Sequence, residues 1–467
     1  MLTIKIPNLC QSEQRYALDI LLGEFLGLVF EVETYAGDVI EITRPGDFDD
    51  GASSSAKLTL DASFFHQAHQ AWLKPESMPV LPLATWTPAD DGINANLVEP
   101  SVPVLFGQPG LVKNGEHLHL NLDILGSAFF MLSRYEELIT KDRDNHDRFP
   151  ATASVAYKVG FLDRPIVNEY LEILWQCLHQ LWPDLERKER KASNFITCDT
   201  DWPFDPAVYS LKPAIKKAAR LLIKDKKPIA SLQAGWTYLV AKLGLKVKDN
   251  YRDSISWMMD VNEAAGNRVA FYFITHNTSK LDTAEDFDSP RMRALFREIA
   301  RRGHEIGLHP GYETYNNPTN FAKTVNKLKR VLQEEGIAQE SIGGRQHFLR
   351  WDIGQTPHLW EQNGLAYDST LSFADKTGFR CGVCYEFTMY DLVNRKPLEL
   401  KQRPLIVMEC TIIASRYEGL GYTEQAMQRF SYFKKVSHQF NGTFILLWHN
   451  SYFNSELDSI FYRKIVG

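Results

Sequence analysis

The sequence predicts an α/β protein: a distorted (β/α) barrel of about seven parallel strands, preceded by a smaller mixed α+β domain. Three observations lead there. After residue 193, short apolar runs alternate with helix-like stretches, the order of parallel βα units. Before residue 185, strand-like runs come first and the helical stretches gather behind them. The 467 residues also exceed what one ordinary domain holds.

In the N-terminal part, LTIKIP, GLVFEVET, KLTLD and EHLHLNLDIL read as strands between polar turns, followed by the helical AFFMLSRYEELI. IVNEYLEILWQCLHQLW then places apolar residues near i, i+3, i+4 and i+7, one face of a helix. DLERKERKA is charged and has no such period, so the domain boundary falls there, giving domains 1–185 and 193–467. In the second domain NFITCD is a strand, a basic insertion covers about 206–250, and a helix-like region 252–266 precedes RVAFYFI. PRMRALFREIARRG leads to HEIGLH, NFAKTVNKLKRVLQEEG to GGRQHF, and TPHLWEQNG to LAYDST. PLIVMEC, the helix TEQAMQRFSYFKKVSHQF and GTFILLWH complete the order. Some seven strands in this alternation suit a barrel better than an open sheet.

Composition narrows the function. With 44% hydrophobic residues, 10 Trp, 19 Tyr and 27 Phe, the chain can build substantial cores, which excludes wholesale disorder. A net charge of −6 argues against a general nucleic-acid binder, which carries a basic excess. No stretch approaches the roughly 18 apolar residues of a membrane span. Lys5 interrupts the short apolar stretch at the N-terminus, so the sequence reads as lacking a secretory signal, and a cytoplasmic location is expected. The six scattered cysteines fit reduced thiols rather than a disulfide scaffold. Cys381 and Cys384 have metal or redox spacing, but a zinc ribbon needs a second such pair, so a structural role is expected.

In the second domain the apolar runs stop at chemically able residues. NFIT runs into Cys198-Asp199-Thr200-Asp201, EIGL into His309, and GG opens onto Arg345-Gln346-His347. LAY ends at Asp368, LIVM at Glu409 and FILLW at His449. The carboxyl ends of the strands of a βα barrel open on one face, where active sites are built. A single histidine at a strand end is more often structural; repetition across six strands carries the argument. A carboxylate with one or two neutral imidazoles makes a three-ligand metal site with a position left for water. A second carboxylate beside it can take that water's proton, and a histidine opposite can protonate a leaving group. Asp199 and Asp201 lie two apart at a strand end, so one can bind metal while the other serves as base.

At this point the sequence resembles the polysaccharide deacetylases of carbohydrate esterase family 4, over roughly residues 193 to 455. The family's Thr-Phe-Asp-Asp motif is similar to Thr197-Cys198-Asp199-Thr200-Asp201 with one residue inserted. Its His-x-x-x-His motif, after a Gly-His-Glu-Ile-Gly strand, resembles GHEIGLHPGYE, with His309 at the first histidine. Its arginine motif resembles GGRQHFLRW, and its Leu-x-His motif resembles Leu447-Trp448-His449. The resemblance implies Asp199 as general base, Asp201 and His309 as metal ligands, Arg345 orienting the base and His449 as general acid. Where the family has its second metal histidine, this chain has Glu313; His347, two residues after Arg345, is the alternative third ligand. The N-terminal part, with DILGSAFFMLSRYEEL and DRFPATASVAYKVGFLDRPIVNEYL, is similar to an accessory domain often fused ahead of such deacetylases.

The expected activity is a metal-dependent, most simply zinc-dependent, hydrolysis removing an acyl group such as acetyl from an N-acylated sugar. Without a secretory signal, the expected substrate is a nucleotide- or lipid-linked precursor of a surface polysaccharide. Two other readings are a non-catalytic carbohydrate-binding or assembly protein on the same scaffold, and a different metal-dependent barrel enzyme such as a sugar isomerase. Further substrate-binding candidates are Asp368, Arg380 and Glu409. Each has a plainer reading: a turn or helix cap for Asp368, a solvated loop for Arg380 and a local partner for Glu409. Trp351 and Trp448 can stack on sugar rings or simply fill the core.

Charge is uneven. Residues 1–110 hold fifteen Asp or Glu and five Lys or Arg, whereas 211–248 hold ten Lys or Arg and the single Asp225. In LKPAIKKAARLLIKDKK, Ile215, Ala218, Ala219 and Leu222 fall at helical spacing among Lys216, Lys217, Arg220, Lys224 and Lys227. Such a basic amphipathic helix can lie on an anionic membrane, grip phosphates, or form the solvated face of a lid.

Overall fold

The computed structural model describes residues 1–44 and 56–467. The chain sorts into two compact units. The first comprises 1–193, 348–419 and 429–445; the second comprises 194–347, 420–428 and 446–467.

The first unit contains a mixed six-stranded sheet in the order Phe30–Tyr35, Leu2–Pro7, Ile40–Thr43, Lys57–Leu60, His117–Leu122 and Gly107–Asn114. Leu2–Pro7 alternates in the way a half-covered strand must, with Leu2, Ile4 and Ile6 buried. Helix Ile124–Leu132 is buried along its whole length, and its first turn is capped by Asp123, whose carboxylate accepts from Gly126 N–H at 2.7 Å. Phe64 packs edge-on against Phe106 and Tyr135 and tilts against Phe129, forming the centre of an aromatic core. The periodic segment after residue 165 is the helix Ile166–Leu181, and the charged stretch behind it carries no helix or strand. The expected βα order had no place for an antiparallel hairpin, yet Phe387–Asp391 pairs with Lys396–Gln402 in this unit.

The second unit begins with strand β1 (Ser193–Thr200), then a four-residue helix, Pro206–Tyr209, and helices α1 (Leu211–Ile223), α2 (Pro228–Lys242) and α3 (Asn250–Ala264). Strand β2 (Val269–Phe273), helix α4 (Pro290–Arg301), strand β3 (Glu305–Leu308), helix α5 (Pro318–Glu334) and strand β4 (Gly343–Gly344) follow. Strand β5 (Thr443–Leu447), whose last two residues belong to this unit, and helix α6 (Glu456–Val466) close the chain. The strand order is β4-β3-β2-β1-β5. β1 with β2, β2 with β3, and β3 with β4 are parallel pairs. Their apolar runs are nearly continuous because helices cover both faces of such a sheet. α4 turns Met292, Leu295, Phe296 and Ile299 inward, and α5 turns in Phe321, Val325, Leu328 and Val331.

The alternation of strands and helices is therefore present, but a closed barrel of about seven strands is not. Among the described residues the row has two ends and no pairing joins β4 to β5. GGRQHF contributes only two ladder residues. Gly344 passes so close to β3 that a β-carbon there would overlap the Leu308 carbonyl oxygen. The chain then leaves the sheet as Arg345 N–H donates to that carbonyl at 3.0 Å.

Candidate metal centre

Parallel pairing puts the carboxyl ends of β1, β3 and β4 on one edge of the sheet, where ligands of open α/β sheets bind. Asp199 lies opposite Tyr272 on β2, Leu308 lies opposite Gly344, and Asp201, His309 and Arg345 each follow directly on a strand end. The Nε2 atoms of His309 and His347 lie 3.4 Å and 3.8 Å from Asp201 Oδ1. One ligand atom from each of the three residues lies within 4.8 Å of the others, and no further such His, Cys, Asp or Glu group exists among the described residues. A tetrahedral ion with bonds of about 2.0–2.2 Å sets its ligands roughly 3.3–3.6 Å apart, so small adjustments bring this trio onto one ion.

Each imidazole is held in the tautomer a metal needs. His309 Nδ1 lies 2.6 Å from the Arg345 carbonyl oxygen, so it carries the hydrogen and leaves the Nε2 lone pair facing Asp201. His347 Nδ1 lies 2.8 Å from Asp282 Oδ1, which fixes the same tautomer. Asp282 is itself clamped. Its Oδ2 accepts from Thr278 N–H at 2.7 Å, Thr278 Oγ1 at 2.8 Å and Ser279 N–H at 2.8 Å, and its Oδ1 accepts from Tyr312 N–H at 2.8 Å. Burial raises the Asp282 carboxyl, but the His347 hydrogen bond and these N–H donors outweigh it and hold it well below the carboxylate range. Gly311 leaves room for this clamp: a β-carbon there would crowd Thr278 Oγ1 at 2.7 Å and Asp282 Oδ2 at 2.9 Å.

Asp201 Oδ1 is shut off from solvent and accepts no hydrogen bond from any described residue. An orphaned carboxylate oxygen is expensive to bury without compensation, and a cation between it and two lone-pair nitrogens provides that compensation. The donor set therefore fits a divalent metal. Burial pushes the Asp201 carboxyl up, but His309, His347 and His449 pull it well below its ordinary range.

Asp199 is fully buried and does a different job. Its Oδ1 is 2.7 Å from an Arg345 Nη1 that also donates to Thr197 Oγ1 at 2.9 Å. Its Oδ2 faces His309 Nε2 at 3.8 Å. Arg345 stacks over the Tyr272 ring at 5.2 Å and has no exposed surface. His449 follows β5, is partly exposed, and acts electrostatically on Asp201. Glu313 is exposed and is not part of the trio.

Asp368, Arg380 and Glu409 belong to the first unit, whereas the metal cluster is built within the second. The Asp368 carboxylate accepts from the N–H and hydroxyl of Thr370, an Asx turn. Arg380 sits on no solvated loop. It is 2% exposed, grips Glu137 bidentately at 2.9 Å and 2.6 Å, and donates to the Ser372 carbonyl at 2.7 Å. Burial raises the Glu137 carboxyl, but Arg380 and Arg134 more than reverse this and bring it to about 2. Glu409 is fully buried at the start of a short helix, Glu409–Ile413. Trp351 and Trp448 are both buried. Cys381 and Cys384 are buried free thiols, and burial pushes Cys381 up to about 12.

Sequence reasoning missed Asp282. It sits in the loop after β2, behind no apolar run, and the one available signal was chemical: a histidine ligand needs an acceptor behind it.

Comparison with known proteins gives three findings. Residues 2–183 match the model of a family of unknown function, DUF7033. No curated protein matches the chain. Among solved structures, a candidate polysaccharide deacetylase from Mycobacterium smegmatis aligns at 14% identity with a TM-score of 0.38, over 61% of this chain and 84% of that one. The allantoinase PuuE aligns at 13% identity with a TM-score of 0.29, over 46% of this chain and 65% of that one.

Proposed function

We infer that the second unit is a metal-dependent hydrolase that cleaves an acyl group, most simply acetyl, from the nitrogen of a sugar. The single observation that carries the metal is Asp201 Oδ1, orphaned between two imidazole Nε2 atoms whose tautomers are already set. Two nitrogens and one carboxylate oxygen with a coordination position left over suit zinc. Asp201, His309 and His347 would hold the zinc, which when bound would supply a water of lowered pKa and polarisation of the substrate carbonyl.

The remaining steps belong to the chain. Asp199 takes the attacking water's proton through Oδ2, because Oδ1 is committed to Arg345. Arg345 anchors that carboxylate from a position closed to water. His449, partly exposed beyond β5, delivers a proton to the leaving nitrogen. The choice of a sugar rests on the motif resemblance around Asp199, His309, Arg345 and His449.

The test is to measure bound metal and acetate release from N-acetylated sugars in the protein as purified, after chelation, and after zinc is restored. Activity should vanish on chelation and return with zinc. Acetate release that survives complete metal removal would sink the reading. Bound metal without release from any acetylated sugar would favour the non-catalytic carbohydrate-binding alternative.

A further inference from the structure

Helices α1 and α2 form a hairpin joined by Lys224–Lys227, and its apolar side faces outward. Along α2 and the Leu243 that caps its end, Ile229, Leu232, Trp236, Leu239 and Leu243 are spaced i, i+3, i+7, i+10 and i+14, which is one face of a helix. Ordinarily that face turns to the core. Here the five residues are between 54% and 76% exposed, and α2 buries no residue at all. The opposite face is small and polar: Ala230, Ala234 and Thr237 are half-buried, and Ser231 Oγ donates to the Ala218 carbonyl of α1 at 2.8 Å. α1 repeats the pattern, with Ile215 60% and Leu222 53% exposed and only Ala214 buried.

A contiguous exposed apolar stripe of this size marks a surface that something covers. Charge decides what. Residues 211–248 carry ten Lys or Arg against the one Asp225, and Lys224, Lys226 and Lys227 are exposed at the hairpin tip beside Ile223 and Ile229. Apolar residues with an outward Trp, flanked by cations, are the makeup of a helix lying in a lipid interface. None of the described helices is long and apolar enough to cross a membrane, so the hairpin lies on the bilayer rather than through it.

We propose that the α1–α2 hairpin docks this protein on an anionic lipid surface. The stripe from Ile229 to Leu243 enters the headgroup region, and the lysines at the tip and after α2 pair with lipid phosphates. The cations attract only while unscreened, so binding weakens with salt.

The experiment is flotation of the full chain with vesicles of phosphatidylcholine alone and of phosphatidylcholine mixed with phosphatidylglycerol, at low and physiological ionic strength. The protein should float with the anionic vesicles, less so at higher salt. Lys224→Gln, Lys226→Gln and Lys227→Gln together should weaken binding on the order of 100-fold, at about 5-fold per lysine near the surface. Leu232→Ser with Trp236→Ser should abolish it while leaving circular dichroism and thermal unfolding unchanged, because both side chains are already exposed. Absence of flotation at low salt overturns the proposal, as does equal binding to neutral vesicles. Lipid-free dimerisation that Leu232→Ser removes also overturns it, since a second copy would then cover the stripe.

Discussion

His347 Nδ1 and Asp282 Oδ1 are 2.8 Å apart, so a carboxylate in the loop after β2 sets the tautomer of a histidine that follows β4. Asp282→Asn keeps the shape but removes the anion behind the ligand. Metal affinity should fall by roughly 10–100-fold, read by titration against a chromophoric chelator. Unchanged affinity would show that His347 is not a ligand.

His309→Ala should remove metal and hydrolysis together. Its imidazole ends a strand instead of packing within one, so the circular dichroism spectrum should persist. Full metal occupancy in a folded His309→Ala protein would exclude the Asp201–His309–His347 site.

Asp199→Asn separates base from ligand. The variant should retain metal and lose hydrolysis by about 10²-fold or more, the scale of positioned acid–base catalysis. Loss of metal instead would exchange the roles of Asp199 and Asp201.

Arg380→Met should act on stability. Removing one partner of a buried ion pair leaves the Glu137 carboxylate undercompensated, at a cost of about 3–5 kcal/mol. Arg134, which also reaches Glu137 at 2.8 Å, reduces the loss. The urea midpoint should drop while metal content per folded molecule is unchanged. A variant of normal stability with an altered KM would return Arg380 to substrate binding.

Metal binding should weaken as pH falls. Burial alone lowers the basicity of His309, but Asp199 and Asp201 reverse this, and its pKa lies above the ordinary 6.5. Without metal the imidazolium therefore persists to higher pH than usual, and an incoming ion must displace a proton. Apparent affinity should rise through neutral pH and level off once His309 is unprotonated. A flat profile from mildly acidic to mildly alkaline pH would contradict its role as ligand.

The strand-end placement of Asp199, Asp201, His309, Arg345 and His449 was legible in the sequence because it is local. An apolar run that stops at a polar residue reports both the strand and its end, and parallel pairing does the rest. The helices α3, α4 and α5 were legible for the same reason, since amphipathic period depends on neighbours three and four residues away. Tertiary structure alone decided what depends on distant residues. The third member of the trio is His347, and Glu313 stays exposed, because Gly311 and Gly344 bring their backbones close to Asp282 and Leu308. Arg380 is closed to water because Glu137, 243 residues earlier in the chain, meets its guanidinium. The strands form an open row in the second unit, since hydrophobic period fixes which residues pair inward but carries no term for closure. The hairpin's apolar stripe is visible in the sequence, whereas its outward direction is not: periodicity defines a face, and only packing determines whether that face meets the protein or its surroundings.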